Sequence, residues 1–236
     1  MAAKDIDEKM AILQRDGETF AITPRIPCGV ITDIGLLRRL ADVAEKYQVK
    51  AVKITSSERF ALVGVKEQDI DRIYAELGVT PGFAGGLCVR SINACPGTTF
   101  CRLGLQDSLA LGLQLEREFA NLELPAKLKM AVSGCPMGCG NSHVRDIGLI
   151  GTKKGFMVKI GGSAGAQPHL GQVLEKAVTP DVAVDRVRSI IALIKELGRK
   201  KRLYSIVDEL GLDGVRQRLG LPLEGRPEAG SGTSDG

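Results

Sequence analysis

Four cysteines fall in two pairs, Cys95 with Cys101 and Cys135 with Cys139, and each pair encloses a proline and a glycine in the stretches CPGTTFC and CPMGC. Thiolates are soft ligands suited to zinc, copper(I) and iron–sulfur clusters. A chain of 236 residues can bury a substantial core without disulfides, so its six cysteines are not a structural necessity. In a reducing compartment such a set holds a metal or does redox chemistry more often than it cross-links the fold. Structural zinc sites usually space each pair by about two to four residues, and the Cys95–Cys101 interval is wider. A 4Fe–4S cluster also takes four thiolates, and loops rich in glycine and proline can wrap closely around a bulky inorganic cube. Pro96, Gly97, Pro136 and Gly138 suit that need.

Charge is concentrated around the second pair. From Lys127 to Lys159 the chain carries Lys127, Lys129, Arg145, Lys153, Lys154 and Lys159 against a single acid, Asp146. Close to a metal-type cysteine set, that excess points to an anion site rather than to a merely solvated face. The net charge of +4 is too small to indicate nucleic acid. The first residues, MAAKDIDEKMAILQRDGE, are charged throughout, and no apolar run approaches the ~20 residues of a membrane span. A cytoplasmic protein with no nucleic-acid or membrane partner is therefore expected.

CPGTTFC and CPMGC resemble the C-x5-C and C-x3-C motifs of the sulfite and nitrite reductase haemoproteins, here of a small single-repeat type. The likeness runs roughly from TPRIPCGVI to the helix ending near Arg202. The resemblance implies that Cys95, Cys101, Cys135 and Cys139 bind a 4Fe–4S cluster and that Cys139 bridges it to the iron of a sirohaem. LPAKLK resembles the segment whose two lysines contact the bound anion, TPRIPCGVI the R-x-P-G-G segment, and VRSINAC the arginine-bearing approach to the first cysteine. Arg25, Arg90, Lys127 and Lys129 are thereby implied as the substrate clamp and as contacts to the sirohaem. The implied reaction is six-electron reduction of sulfite to sulfide, with nitrite to ammonia as the alternative. No flavin or nicotinamide fingerprint is visible, so an external donor such as a ferredoxin is expected. Half the usual family length in one chain also suggests a homodimer that shares its sites. Cys28, Met137, Ser57 and Val63 depart from the family pattern, where glycine, asparagine, arginine and histidine are usual. Two rival readings are an electron-transfer subunit whose cluster survives without sirohaem and a zinc-stabilised binding module.

Other residues have plainer roles. Cys28 and Cys88 read as small buried hydrophobes, because four thiolates complete a cluster. His143 and His169 read as hydrogen-bonding residues rather than axial ligands. KELGRKKR reads as a solvated helix end favoured by the helix dipole, and its cations Lys195, Arg199, Lys200, Lys201 and Arg202 could dock an acidic donor.

These residues need an α+β frame to position them. TDIGLLRRLADVAEKYQ has a cap at Thr32 or Asp33 and apolar residues at Ile34, Leu37, Leu40, Val43 and Ala44, which predicts a helix with one buried face. VKAVKIT and FALVGV predict two strands, and EQDIDRIYAELG predicts a second helix closed by Gly78. Residues 18–80 thus form a small unit, which the resemblance makes ferredoxin-like, after a leader over 1–17. VTPGFAGG marks a boundary near Pro81, and the sirohaem and 4Fe–4S domain follows over 81–222. Within it RLGLQDSLALGLQLEREFANLEL predicts a long helix ending before Pro125, AKLKMAV, DIGLIG and FMVKIGG predict strands, and a strong helix starts at Pro180 with shorter ones to Leu219. Lys127 and Lys129 alternate on the first of these strands and share a face. The tail over 223–236 has no large apolar side chain and is expected to be disordered.

Overall fold

The computed structural model describes residues 4–83 and 85–223. The N-terminal part is a four-stranded antiparallel sheet with two helices. Its strands are β1 (Ile12–Leu13), β2 (Phe20–Ile22), β3 (Ala51–Ile54) and β4 (Phe60–Val65), in the order β1-β2-β4-β3. Helices α1 (Ile34–Lys46) and α2 (Ile70–Leu77) pack over it. Phe20, Ile22, Leu62, Val65, Ile70, Ile73 and Leu77 form the core. Asp33 caps α1 by accepting the Gly35 N–H, and Gly78 ends α2 in the left-handed conformation. The buried stripe of α1 is Leu36, Leu40 and Val43, and the expected Ile34 and Leu37 point outward. Strand β1 falls inside the stretch read as a leader and forms the sheet edge.

The larger part is a five-stranded mixed sheet with helices around it. It comprises β5 (Asn93–Ala94), α3 (Gly97–Phe100), α4 (Ser108–Phe119), β6 (Met130–Ser133), β7 (Ile147–Thr152) and β8 (Gly155–Ile160). After these come a small hairpin of β9 (Ser163–Ala164) and β10 (Pro168–His169), then β11 (Gln172–Val178), α5 (Pro180–Leu197) and α6 (Leu203–Arg218). The sheet order is β11-β8-β7-β6-β5, with β5, β6 and β7 parallel and the rest antiparallel. Strands β6 and β7 are buried almost throughout, as expected of strands covered on both faces. Helix α4 packs on β5 and β6, whereas α5 and α6 pack on β8 and β11. Helix α6 breaks at Gly211, where φ is +68°, so the end of the chain is two short helices merged at a kink.

Two expected elements are shorter than predicted. The helix after Cys101 begins only at Ser108, capped by Asp107, because the N–H groups of Leu105 and Gln106 donate to the Gly134 carbonyl and hold residues 102–107 out of the helix. It stops at Phe119 because the 122–124 segment pairs with Leu87 and Val89. Lys127 and Lys129 precede β6 rather than lying in it. Leu128 between them donates to the Cys88 carbonyl and accepts from the Arg90 N–H, which sets Arg90 beside the two lysines. The expected tail, from residue 224 onward, lies outside the described residues.

Candidate cluster and anion site

Both cysteine pairs leave the sheet at one edge. Ala94 of β5 pairs with Val132 of β6, so Cys95 and the Gly134–Cys135 segment emerge side by side from the carboxyl ends of two parallel strands, a usual place for ligand sites. The loops then interlock through glycine. A side chain at Gly134 would lie 2.6 Å from the Gly97 Cα, so only glycine lets the second loop cross the first this closely. The Gly134 N–H points at Cys95 Sγ, 3.1 Å away, and Ser108 Oγ lies 3.3 Å from the same sulfur. Backbone donors of this kind stabilise a thiolate. Cys95 and Cys139 line one hollow of about 270 Å³ together with Cys28, Glu58, Pro96 and Phe100. Cys101 and Cys139 are exposed, and Cys95 and Cys135 are half-buried.

A single metal ion needs its ligands within bonding distance of one point. Among the described residues no three His, Cys, Asp or Glu side chains gather that tightly. Four sulfurs around a cube each meet a different iron and need not converge. Cys95 and Cys139 share the hollow, and Cys101 and Cys135 are not among its lining residues. Cys28 and Cys88 are only 1% and 4% exposed, as expected of small hydrophobes. Burial, aided by the Glu116 and Glu58 carboxylates, pushes the Cys28 thiol up to about 12, so it stays protonated on the hollow's wall. Cys28 occupies φ +53°, the backbone region glycine favours, at the position where the resembled family usually has glycine.

His143 underpins the second loop. A side chain at Gly138, where φ is +68°, would strike the His143 ring at 2.4 Å, so the ring packs directly under the loop. Lys159 Nζ lies 3.5 Å from His143 Nδ1, and His143 Nε2 lies 3.2 Å from the Pro136 carbonyl. The lysine can only donate, which leaves the proton on Nε2 and makes that nitrogen the donor to Pro136. His169 stacks on Tyr204 and faces Asp208, away from the cysteines.

The basic residues form a second hollow, also of about 270 Å³, lined by Lys127, Lys129, Arg145, Arg202, Ser56, Asn141 and the β9 segment. A neighbouring hollow of about 540 Å³ shares Lys127 and Arg202 and adds Arg90 and Lys200. Lys127 lines both hollows, Lys129 only the first and Arg90 only the second. Arg25 does not join them. It pairs at 3.5 Å with the buried Glu116, sits over the Phe83 ring, and is absent from the lining of all these hollows. Arg145 and Arg202 are functional candidates that the motifs missed. Arg202, expected as part of a solvated helix end, instead donates through Nε and Nη2 to Asp146 at 3.0 and 2.7 Å, and Asp146 also accepts the Lys129 N–H at 2.8 Å. Burial lowers the Lys129 pKa, and the charges of Arg145, Lys127 and Arg202 lower it further. Of the arginines lining these hollows, Arg90 and Arg145 each have a buried Nε with no hydrogen-bond partner, which suits an anionic group bearing several oxygen acceptors.

The two hollows are neighbours. Ser56 lines the basic hollow and Glu58 the cysteine hollow, so the β3–β4 turn runs between them. On the opposite side Asn141 and Cys139 bear the same relation. The Ser56 carbonyl fastens the junction by accepting from Arg145 Nη2 and Asn93 Nδ2, each at 3.3 Å.

The fold thus sets a hollow lined by two cysteines of the motifs beside a hollow lined by basic side chains. Residues 85–226 match the family model described as the nitrite and sulphite reductase 4Fe-4S domain, and residues 12–79 match the nitrite/sulfite reductase ferredoxin-like half domain. The chain belongs to the nitrite and sulphite reductase family. It is 42% identical over 214 residues to an assimilatory-type sulfite reductase of Nitratidesulfovibrio vulgaris, covering 90% of this chain and 98% of that one. It is 36% identical to the NAD(P)H nitrite reductase of Bacillus subtilis over 92% of this chain, but spans only 27% of that relative. In fold it is similar to dissimilatory sulfite reductase I, with a TM-score of 0.79 at 14% identity over 92% of this chain and 73% of the other. It is also similar to the NirA protein of Mycobacterium tuberculosis, with a TM-score of 0.75 at 19% identity over 87% of this chain and 41% of that one. Among the described residues no helix is long and apolar enough to cross a membrane.

Proposed function

We propose that this chain is a single-repeat sirohaem and 4Fe–4S reductase that takes sulfite to sulfide. The observation that carries the reading is that the β3–β4 turn and the 139–141 segment each contribute a residue to the cysteine hollow and another to the basic hollow. In this reading Cys95, Cys101, Cys135 and Cys139 would hold the cluster, and Cys139, two residues from Asn141 of the basic hollow, would also help to hold the sirohaem. The bound groups supply the electrons and the iron that takes the anion. The chain's own residues do the rest. Lys127, Lys129, Arg90 and Arg145 hold the negative charge of the anion and of the macrocycle's carboxylates, and Arg25 has a supporting place behind them through Glu116. Each oxygen removed must leave as water, so protons have to arrive where the anion sits. Lys129, with its lowered pKa, is the side chain of the pocket best suited to give one up.

Sulfite is preferred because the relative matched over almost its whole length is a sulfite reductase, whereas the nitrite reductases are several times longer. Nitrite is the second reading, since it is also a small anion that takes six electrons. The enzyme works in the cytoplasm, draws electrons from an external carrier, and completes the open side of its macrocycle by pairing with a second copy. The test is anaerobic purification followed by a visible spectrum and assays of both anions with a reduced viologen. A Soret band with a red-shifted chlorin band and faster turnover of sulfite are expected. An iron–sulfur shoulder alone, with neither anion reduced, would identify an electron carrier instead.

A further inference from the structure

One wall of the basic hollow carries no charge. The β9–β10 hairpin supplies it with Ser163, Ala164 and Gly165, alongside Lys127, Lys129 and Arg145. The two feet of the hairpin are fixed by backbone bonds: the Gly161 N–H donates to the Asp146 carbonyl at 2.9 Å and the Gly171 N–H to the His143 carbonyl at 2.8 Å. Gly162 crosses the Arg145 backbone so closely that a side chain there would lie 2.4 Å from the Arg145 carbonyl oxygen. Between the feet residues 164–168 are exposed, whereas Ser163 is only 3% exposed. Its hydroxyl accepts the Gly165 N–H at 3.4 Å, which leaves its own proton to be given to an acceptor.

Between its feet the hairpin is held by His169. This residue pairs across the hairpin with Ser163, so the two side chains lie on one face. Its ring stacks on Tyr204 of α6, with 4.3 Å between centroids and 22° between planes, and Nε2 lies 3.6 Å from Asp208 one turn further along the helix. Among the described residues no other hairpin side chain makes a hydrogen bond, ion pair or ring contact outside the hairpin. The second ring nitrogen, Nδ1, lies 3.0 Å from the Gln167 carbonyl. A carbonyl and a carboxylate can only accept, so the doubly protonated ring satisfies both contacts at once. Tyr204 stands two residues from Arg202, which lines the same hollow. The start of α6 therefore supports both a charged wall and the neutral one.

We infer that Ser163 is a specificity-determining residue of the anion pocket and that His169 is the positioning residue that holds it in place through Tyr204 and Asp208. The inference rests on the proposed reading of the basic hollow as the anion pocket. The cations answer negative charge, which sulfite and nitrite both bear. The two anions differ in shape: sulfite is a pyramid with three oxygens, and nitrite is bent with two. A hydroxyl on the neutral wall is a directional donor for the additional oxygen, and a hydrogen bond that only one substrate completes is an effective discriminator. The wall serves only while the hairpin is held. The charged and titratable groups facing the His169 ring are Tyr204 and Asp208, both of α6. As pH rises through the range in which imidazole titrates, Nε2 loses its proton and turns a lone pair toward the Asp208 carboxylate, which loosens the hairpin.

The test uses the loaded enzyme, driven by reduced methyl viologen with sulfite and nitrite in turn, together with hydrogen exchange over residues 163–169 followed by mass spectrometry. Ser163→Ala should lower kcat/KM for sulfite about tenfold, equivalent to ~1.4 kcal/mol, and for nitrite by less than about twofold. His169→Ala should reproduce that loss of selectivity and strip the hairpin of its exchange protection while the sirohaem absorption stays in place. In the wild type this protection, corrected for intrinsic exchange, should be several-fold greater at about pH 6 than at about pH 8. His169→Phe keeps the stacking and should give partial protection with no pH dependence, and Asp208→Asn should flatten the dependence because an amide can donate to the bare nitrogen. Leu170→Ser, on an exposed part of the hairpin, should change none of these readings. Equal losses with both anions in Ser163→Ala, unchanged hairpin protection in His169→Ala, or an undiminished pH dependence in His169→Phe would each overturn the inference. A loaded wild-type enzyme that reduces neither anion would overturn the anion-pocket reading itself, and the role of Ser163 with it.

Discussion

Replacing Arg202 with methionine should expose how the anion pocket is held together. Asp146 is fully buried, and its carboxylate is satisfied by two Arg202 nitrogens and the Lys129 N–H. Breaking a buried ion pair by deleting one partner typically costs about 3–5 kcal/mol, because the surviving charge is left in a low dielectric. Asp146 retains the Lys129 N–H, and the Arg202 side chain is already 21% exposed, so the lower end, about 3 kcal/mol, applies. For a chain of this size each kcal/mol moves the midpoint by about 2–4 °C, giving a fall of roughly 6–12 °C. The pH dependence has a definite sign. Burial already raises the Asp146 pKa, and Arg202 is the largest influence opposing that rise. In the variant the folded-state pKa climbs further above its unfolded value. Stability is then relatively favoured below the unfolded pKa and lost as pH rises through the folded one, so the deficit should be large at pH 7.5 and smaller at pH 5. Thermal unfolding followed by circular dichroism at both pH values measures it. Arg202→Lys should recover only part of the loss, since an ammonium cannot reproduce the two-pronged contact. A deficit below about 2 °C at pH 7.5, or one that does not shrink in acid, would refute the reasoning.

Further outcomes follow from the same geometry. Cys139→Ser should abolish electronic coupling between haem and cluster, whereas Cys28→Ala should keep the four-iron signal in electron paramagnetic resonance; the reverse pattern would move the ligand set. Lys127→Met and Lys129→Met should each raise the sulfite KM or depress turnover by about tenfold or more while leaving the sirohaem absorption in place. Because Lys129 titrates below its ordinary value, anion affinity should decline as pH rises through that lowered pKa. Lys127→Met removes one of the neighbouring charges responsible, so the decline should move to higher pH, and titrations across the alkaline range would show whether it does. His143→Phe should speed cluster loss to an iron chelator several-fold and His143→Gln should restore much of the retention, since glutamine keeps a donor for the Pro136 carbonyl; equal loss rates in all three proteins would remove the role.

What could be read from the sequence divides by range. The cysteine loops are local motifs whose spacing and glycines are visible in a few residues, and α1, α2, β3, β4 and α5 show clear periodicity with caps. Leu103 and Leu105 continue the apolar rhythm of α4, yet they lie outside it because the Gly134 carbonyl, some thirty residues on, captures the neighbouring N–H groups. Strand β11 is interrupted by register shifts and buries only Leu174 fully, so QVLEKAV has little alternation to detect. Arg202 and Asp146 are 56 positions apart, and only the packing of α6 onto the sheet brings them together. The available signal was the lone acid in a basic segment: a single Asp146 among six cations invites the question of which cation it serves.

The departures in the β3–β4 turn acquire a physical meaning from the junction of the two hollows. The resembled family usually places arginine where this chain has Ser57, which would put positive charge in the turn between cysteines and anion. Here the charge reaches the turn from the other side. Arg145, 6% exposed at the start of β7, extends to the Ser56 carbonyl and lines the basic hollow, and Arg59, two residues past Ser57, is buried with Nη1 2.8 Å from Ser91 Oγ beside Arg90. Both guanidinium groups carry an unpartnered buried Nε and burial lowers both pKa values, and Arg145, which lines the basic hollow, gains from an incoming anion what it lost by leaving water. An anion in the basic hollow would therefore tighten the contact between the N-terminal unit and the cysteine-bearing sheet, because Arg145 touches both. On this argument the small N-terminal unit is part of the site: its turn forms the wall across which the anion pocket and the cysteine rim meet.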